Sequence, residues 1–505
     1  MSQIEERIIN NALWMGLILT LFFFLYITTS TLLFPYGLDY GEAPLIDQAK
    51  RLIAHEEIYK ANLDEPPYVI SNYPPLYISL ISILGILTNL PLLQVGRAIS
   101  LVSSLTSAFI IGKFASHLSK RRLSGMVAAA LFLGHPFVTI WSPLARVDLL
   151  ALGLSLTALW ILYTRWDSWP WLAVAALCLL GAIYTRQTYA LAAPVASAVW
   201  LWKNNRLRAL IFITSLVGSC LALFMVLNTL TRGGFYINVI TANVNPYRLE
   251  RMLSMNGMFI QVWPFVIFTA PIQIIREVKR KDHYEREASR RSFILYGLLP
   301  YTCGALLSSF TVGKVGSNVN YFLELSSALA IWIGCSTAKP MSKVTIRKGQ
   351  IILSLLILCQ IIWSLTANWL ISYRVITEKW SKLSEYEEVF QEVRQAASRG
   401  PILADDYLFM VILAGQRIYY QPFEYYQLYN AGIWTPTNLV AEIQDRKFSL
   451  VLLNKPGSHL YQERWPSSIT QAIKDNYIEK KRWGELIAYE PKSSSLNTSP
   501  TISVP

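Results

Sequence analysis

The sequence predicts a mainly α-helical, polytopic membrane protein of about thirteen spanning helices, with a small α/β domain at its C-terminal end. Three observations carry that prediction. Hydrophobic residues make up 53% of the 505 residues and charged residues only 15%, against roughly 25% charged in soluble domains. The apolar residues fall in blocks, and 12–34, 207–227 and 351–369 are each long enough to cross a hydrocarbon core about 30 Å thick. The basic residues gather in short loops between blocks, at 203–208, 276–291 and 339–348, as cytoplasmic loops beside anionic headgroups do. A net charge of +13 placed in this way argues for a membrane and against a nucleic-acid partner.

The first block is too long for the apolar core of a signal peptide and lacks a small-residue cleavage site. It is therefore expected to remain as the first spanning helix. Further spans are expected to begin near Tyr73, Gln94, Leu123, Asp148, Trp169, Tyr189, Leu207, Phe259, Ser292, Val319 and Ile351. The basic loops alternate with polar segments at 229–258 and 313–320, which the positive-inside rule places outside. The N-terminus is then cytoplasmic and the tail after 373 outside, so the number of crossings must be odd. The blocks so named are even in number. Breaking 123–147 at Gly134-His135-Pro136 into two short crossings restores parity, but leaves Lys120-Arg121-Arg122 outside, against the rule.

The membrane part is thus 1–373, with a first outside loop at 35–72. Residues 374–490 are expected to form a soluble extracytoplasmic α/β domain, large enough for its own core. Within it 385–398 and 437–445 read as helices, 401–404 and 449–454 as buried strands, and 417–420 as strand-like. Residues 491–505, rich in Ser, Thr and Pro, read as a disordered tail. Cys178, Cys220, Cys303, Cys335 and Cys359 all lie in apolar blocks without CxxC spacing, as small buried hydrophobes and not a metal or disulfide framework.

The polar residues that interrupt this pattern are the candidates for chemistry. Leu38-Asp39-Tyr40-Gly41-Glu42 opens the first outside loop and carries two carboxylates three apart; helix capping is the competing role for either. Residues 43–55 alternate as a helix lying in the interface would. Tyr73-Pro74-Pro75-Leu76-Tyr77 suits a helix start, with Tyr73 and Tyr77 as interfacial anchors or as part of a substrate groove. Arg146 and Asp148, then Arg186, then Lys314, Asn320 and Glu324 stand at outside ends of spans. Ionisable groups at such depth are kept for function or paired within the bundle; Arg146 with Asp148 and Lys314 with Glu324 are the obvious pairs. Gathered on one side, acids and cations suit transfer of a group from a lipid phosphate. A carboxylate takes the acceptor proton, and Arg and Lys hold the phosphate as charge builds on it.

The order Asp39-x-x-Glu42, Tyr73-Pro74-Pro75-Leu76 and Leu144-Ala145-Arg146-Val147-Asp148 resembles the membrane glycosyltransferases of the GT-C class. The likeness is to the bacterial branch that includes the lipid A aminoarabinose transferases and protein O-mannosyltransferases. It covers the membrane part and, more weakly, the tail. The resemblance implies a GT-C-like fold in a bacterial plasma (inner) membrane, a polyprenyl-phosphate sugar donor, and a lipid, glycan or protein hydroxyl as acceptor, with inversion at the anomeric carbon. It maps the proposed catalytic base to Asp39, with Glu42 as a second catalytic candidate, and sets Arg146 and Asp148 near the active site. Arg186, Lys314, Asn320 and Glu324 join them as donor-phosphate candidates. One lipid phosphate needs less neutralisation than a nucleotide diphosphate, so a divalent metal is left open and not required. The rival reading is a transporter or flippase of lipid-linked saccharides, which would place ionisable groups at span centres and duplicate its halves; neither feature is seen in the sequence.

Overall fold

In the computed structural model, residues 3–279, 290–336, 344–455 and 464–492 are described. Helix α1 (Gln3–Leu33) carries the opening apolar block, and Pro35 ends it by withdrawing a backbone donor and disfavouring helix at Phe34. Helix α2 (Glu42–Ile53) follows. It does not lie free in the interface: Ala43 to Ala49 and Arg51 are all buried, between the bundle and the C-terminal region.

Helices α3 (Leu76–Thr88) and α4 (Leu92–Ser119) form a tight antiparallel hairpin. Tyr77 Oη donates to the Gly96 carbonyl at 2.8 Å and lies 2.9 Å from Ser100 Oγ, while Gly85 faces Leu92 so closely that a Cβ would lie 2.2 Å from its side chain. Ser82 Oγ reaches the Ala49 carbonyl of α2 at 3.1 Å. In the second turn of α4, Arg97 donates to the carbonyls of Thr31, Phe34 and Tyr36 at 2.7–2.8 Å. Helix α4 therefore starts at the end of α1 that leads into the first loop. At its far end, Leu118 accepts from Arg290, beside the second basic loop. The span expected from Tyr73 is thereby overturned: α3 is a short helix, about 20 Å long by its rise per residue, laid on α2. Lys120-Arg121-Arg122 falls on the side of the basic loops.

The break at Gly134 to Pro136 is present, but not as two crossings. Helix α5 (Arg122–Leu133) stops there and α6 (Pro136–Trp141) begins, capped by His135 Nδ1, which accepts the Phe137 N–H at 3.1 Å. Six residues rise only about 9 Å, too little for a second passage, so α5 and α6 make one broken path. Helix α7 (Asp148–Arg165) follows. Among the described residues six helices are long and apolar enough to cross a membrane, and a seventh candidate is the pair Leu249–Val262 and Pro264–Lys279, bent by 90°. Leu323–Ser336 is buried along all its 14 residues. Gly334 lies against Ala115 and Ala128, and Gly125 against Gly112, the small-residue contacts that let helices approach inside lipid. By contrast Arg206–Leu230 buries only Ala209, Phe212 and Leu216 and turns its apolar remainder outward.

Val344–Asn368 runs through Trp369–Tyr373 into Arg374–Ser381, so a boundary at 373 falls inside a continuous helix. Beyond Leu383–Ala397 lie strands β1 (Ile402–Ala404), β2 (Leu450–Asn454), β3 (Tyr477–Trp483) and β4 (Leu486–Pro491), in one sheet of order β1-β2-β4-β3. β1 and β2 are parallel and the other pairs antiparallel; both match expected strands, as Leu383–Ala397 and Thr437–Gln444 match expected helices. Strand β3 escapes sequence reading because Glu479 to Arg482 are all exposed, on a bulged outer strand with no alternation. Residues 417–420 do not join the sheet. They pair with the first loop instead: the Tyr68 N–H donates to Tyr419 at 2.7 Å, and the Gln421 N–H to Tyr68 at 2.9 Å. Asp47 and Arg51 of α2 clasp the backbone of Ile418 at 3.1 and 2.9 Å. Parts of two basic loops (280–289 and 337–343) and the tail from 493 lie outside the described residues, while Pro491 closes β4.

One buried ion pair ties these pieces together. Arg97 Nε and Nη2 donate to Glu42 at 2.9 and 3.0 Å, and both side chains are wholly buried. Glu42 also accepts the backbone N–H groups of Leu38 at 2.8 Å and Ala145 at 2.9 Å. Burial works to raise the Glu42 carboxyl, but the Arg97 charge and these hydrogen bonds outweigh it and hold it below the usual carboxylate range. Removing one member strands the other, at a cost of roughly 3–5 kcal/mol. Arg97→Met is therefore expected to lower the melting temperature of the detergent-solubilised protein by several degrees or to abolish folding; an unchanged melting curve would contradict the pair's role.

Candidate active site

Asp39 sits in the turn between α1 and α2, where its Oδ1 accepts the Gly41 N–H at 3.0 Å. The same oxygen accepts from Arg146 Nη1 at 3.0 Å. Arg146 stands in the stretch joining α6 to α7, with its guanidinium 5.2 Å from the centre of the Trp141 ring and its Nη2 3.5 Å from Tyr73 Oη. Gly41 makes room for it: a Cβ there would lie 1.2 Å from Arg146 Nη1. Burial raises the Asp39 carboxyl above its ordinary value, and the attraction of Arg146 offsets this only in part. The result is a carboxylate both accessible and more basic than usual.

Asp39 and Arg146 open onto a cavity of about 580 Å³, which Tyr73, Arg186, Lys314 and Asn320 also line. Six of the ten residues singled out from the sequence thus meet in one space. Arg186 is held by Asp148, which is fully buried and also accepts from Trp141 Nε1 at 2.6 Å and Asn320 Nδ2 at 2.9 Å. Its guanidinium lies 4.5 Å over the Tyr321 ring. Among the described residues Lys314 Nζ hydrogen-bonds to Asn243 alone, at 3.3 and 3.4 Å, and Lys314 lines the cavity.

The other four fall behind the lining. Glu42 was expected as a second catalytic candidate, but the structure places it off the cavity: Arg97 and backbone N–H groups engage both oxygens, and the side chain has no exposed surface. Tyr77 is spent on Gly96 and Ser100. Asp148 serves Arg186 and not Arg146. Glu324 is buried one turn beyond Asn320, away from Lys314, with one carboxylate oxygen lacking a hydrogen-bond partner.

Sequence reading missed several lining residues. Arg251, on Leu249–Val262, donates to the Ser317 carbonyl; the available signal was a cation in a segment assigned outside. Tyr40, Phe423, Glu424 and Arg464 also line the cavity. Tyr40 Oη donates to Glu424 at 2.8 Å, and the Arg464 guanidinium stacks 4.6 Å from the Tyr40 ring while pairing with Asp405 and Asp406. Contacts between residues nearly four hundred positions apart leave no local trace. Among the described residues no group of three His, Cys, Asp or Glu side chains is placed to hold a metal ion, and Arg146 Nη1 pairs with Asp39 Oδ1.

Taken together, the helical bundle and one-ended cavity define a multi-pass membrane protein with a GT-C-like glycosyltransferase fold. The chain is similar in structure to ArnT from Cupriavidus metallidurans in the apo state, with a TM-score of 0.58 at 12% identity, over 94% of this chain and 97% of that one. It is similar also to the archaeal oligosaccharyltransferase AglB from Archaeoglobus fulgidus, solved with an inhibitory peptide and a dolichol-phosphate. That match has a TM-score of 0.53 at 11% identity, over 99% of this chain and 76% of that one. By sequence the chain matches no family model and no curated protein. The fold expected from the resemblance is the fold found.

The packing of Gly41 against Arg146 is open to a direct check. Gly41→Ala is expected to destabilise the protein by roughly 1–3 kcal/mol, as overpacking does. In an Arg146→Ala background, where the clash is gone, the same substitution should cost almost nothing. Equal losses of melting temperature in both backgrounds would contradict the contact.

Proposed function

We propose that the chain is a membrane glycosyltransferase that moves a sugar from a polyprenyl-phosphate donor to an extracytoplasmic acceptor hydroxyl, with inversion. The observation that supports it best is the Asp39–Arg146 pair at 3.0 Å, facing a cavity that Arg186, Arg251 and Lys314 also line, together with Arg464, which is paired with Asp405 and Asp406. In this reading Asp39 takes the proton of the acceptor hydroxyl as general base. The acceptor oxygen forms its bond to the anomeric carbon as the bond from that carbon to the phosphate oxygen breaks. The polyprenyl phosphate leaves as an anion, which Arg146, Arg186 and Lys314 stabilise by charge-assisted hydrogen bonds. Attack from the face opposite the departing phosphate inverts the centre. The dolichol-phosphate in the AglB structure is a phosphate-capped isoprenoid of the kind proposed here.

The same proposal sets the chain in a bacterial plasma membrane with its N-terminus cytoplasmic and the sheet-bearing region outside. Leaving out α3 and counting α5 with α6 as one passage gives about eleven crossings, an odd number. It also returns Lys120-Arg121-Arg122 to the cytoplasmic side that the positive-inside rule demands.

Asp39→Asn is expected to reduce sugar transfer from a radiolabelled lipid-linked donor by roughly 10²–10⁴-fold, the usual worth of a general base; wild-type turnover would overturn the mechanism. The pH dependence gives a second check. Asp39 must be ionised to act, so the rate should fall as pH drops through a value above the ordinary Asp pKa of about 3.9. Arg146 lowers that carboxyl, so Arg146→Gln should shift the acid limb to higher pH, beyond any change in the plateau. A limb that stays in place or moves down would contradict the coupling.

A further inference from the structure

The cavity has two chemically different sides, and the proposed reaction uses only one. Arg186, Arg251 and Lys314 supply cations for an anionic donor. Another part of the lining is built from Gln48 on α2, Tyr40 in the first loop, and Phe423 and Glu424 from the C-terminal region. The region is anchored there through Ile70: Gln48 Nε2 donates to its carbonyl at 3.2 Å, and its N–H donates to Gln421 Oε1 at 2.8 Å. Phe423 reaches across to Gly316, where a Cβ would lie 2.5 Å from its ring, so the wall closes onto the Lys314 loop.

Hydrogen-bond acceptors dominate this wall. Gln48 lines the cavity and is 4% exposed, and its Oε1 is buried without a hydrogen-bond partner. Such a buried, unmet acceptor leaves hydrogen-bonding capacity open beside the cavity. Glu424 accepts from Tyr40 Oη and, like Asp39, has further acceptor capacity. The cation on this side, Arg464, is already matched by Asp405 and Asp406, so the wall offers no surplus positive charge. It would repel a phosphorylated or carboxylated acceptor and welcome a neutral one rich in hydroxyls. Phe423 adds an apolar face of the kind that packs on a sugar ring.

We infer that the wall formed by Gln48, Tyr40, Phe423 and Glu424 is the acceptor subsite, and that it takes a neutral, hydroxyl-rich glycan. The inference rests on the transferase reading above and makes the C-terminal region a specificity element of the site. Asp39, next to Tyr40 in sequence and paired with Arg146 at 3.0 Å, links this wall to the cations, and there an acceptor hydroxyl and a donor carbon would meet.

The test uses full-length protein in lipid nanodiscs and reads binding without turnover, by saturation-transfer NMR. The probes are a neutral linear trisaccharide, a uronic acid trisaccharide and a Ser/Thr-bearing peptide. The neutral trisaccharide should bind best. Glu424→Gln should weaken it about tenfold or more, as loss of a charged acceptor does, with polyprenyl-phosphate binding retained as the sign of an intact fold. Phe423→Ala, which leaves the Tyr40–Glu424 contact in place, should weaken it as well. Preference for the uronic acid trisaccharide or the peptide, or glycan binding indifferent to both substitutions, would overturn the inference. Failure of the base mechanism is read separately, in the transfer rate of Asp39→Asn.

Discussion

The buried pair of Glu42 and Arg97 is the contact on which the site depends. Taking two charges out of water is unfavourable, and their mutual attraction repays it only when the remaining hydrogen-bonding capacity is used. Here it is used in a directed way. The three carbonyls that Arg97 binds end α1, and the two backbone N–H groups nearest Glu42 belong to Leu38 and Ala145. Each is the immediate sequence neighbour of a member of the proposed reacting pair: Asp39 follows Leu38, and Arg146 follows Ala145. One carboxylate thus gathers two segments more than a hundred residues apart and sets Asp39 and Arg146 within 3.0 Å of each other.

A second buried carboxylate repeats the device deeper in the bundle. Asp148, at the first turn of α7, joins Trp141, Arg186 and Asn320, so the cation proposed for the phosphate and the ring beneath Arg146 share one anchor. Pre-organisation of this kind matters because charges fixed before the reaction need not reorganise during it. The C-terminal region completes the enclosure. Its backbone is clasped by Asp47 and Arg51 of α2, so the helix that begins with Glu42 carries the Asp39 turn on one end and the proposed acceptor wall on its flank.

What the sequence disclosed and what it hid follow from the range of the forces involved. The apolar blocks, the basic loops and the polar clusters at outer span ends are local patterns, and they located Asp39, Arg146, Arg186 and Lys314 on one side. Leu76–Thr88 was misread as a span because hydropathy registers apolarity but not what the helix rests on; the Ser82–Ala49 and Tyr77–Gly96 contacts decide that. The parity conflict at Lys120-Arg121-Arg122 traces to Leu76–Thr88 and not to the break at Gly134 to Pro136. Glu42 looked catalytic because its partner Arg97 is 55 positions away, in a helix with nothing else to mark it. Glu424 and Arg464 were beyond reach for the same reason.

The central claim is that Asp39 and Arg146 form the reacting centre, with the phosphate on the Arg146 side. A cryo-EM structure with a bound polyprenyl-phosphate analogue tests it most directly. The account predicts the phosphate within ion-pair distance, about 4 Å, of Arg146 and of Arg186 or Lys314, with the tail leaving between helices into the bilayer. A phosphate bound outside this cavity, or within it but out of reach of Arg146, would contradict it.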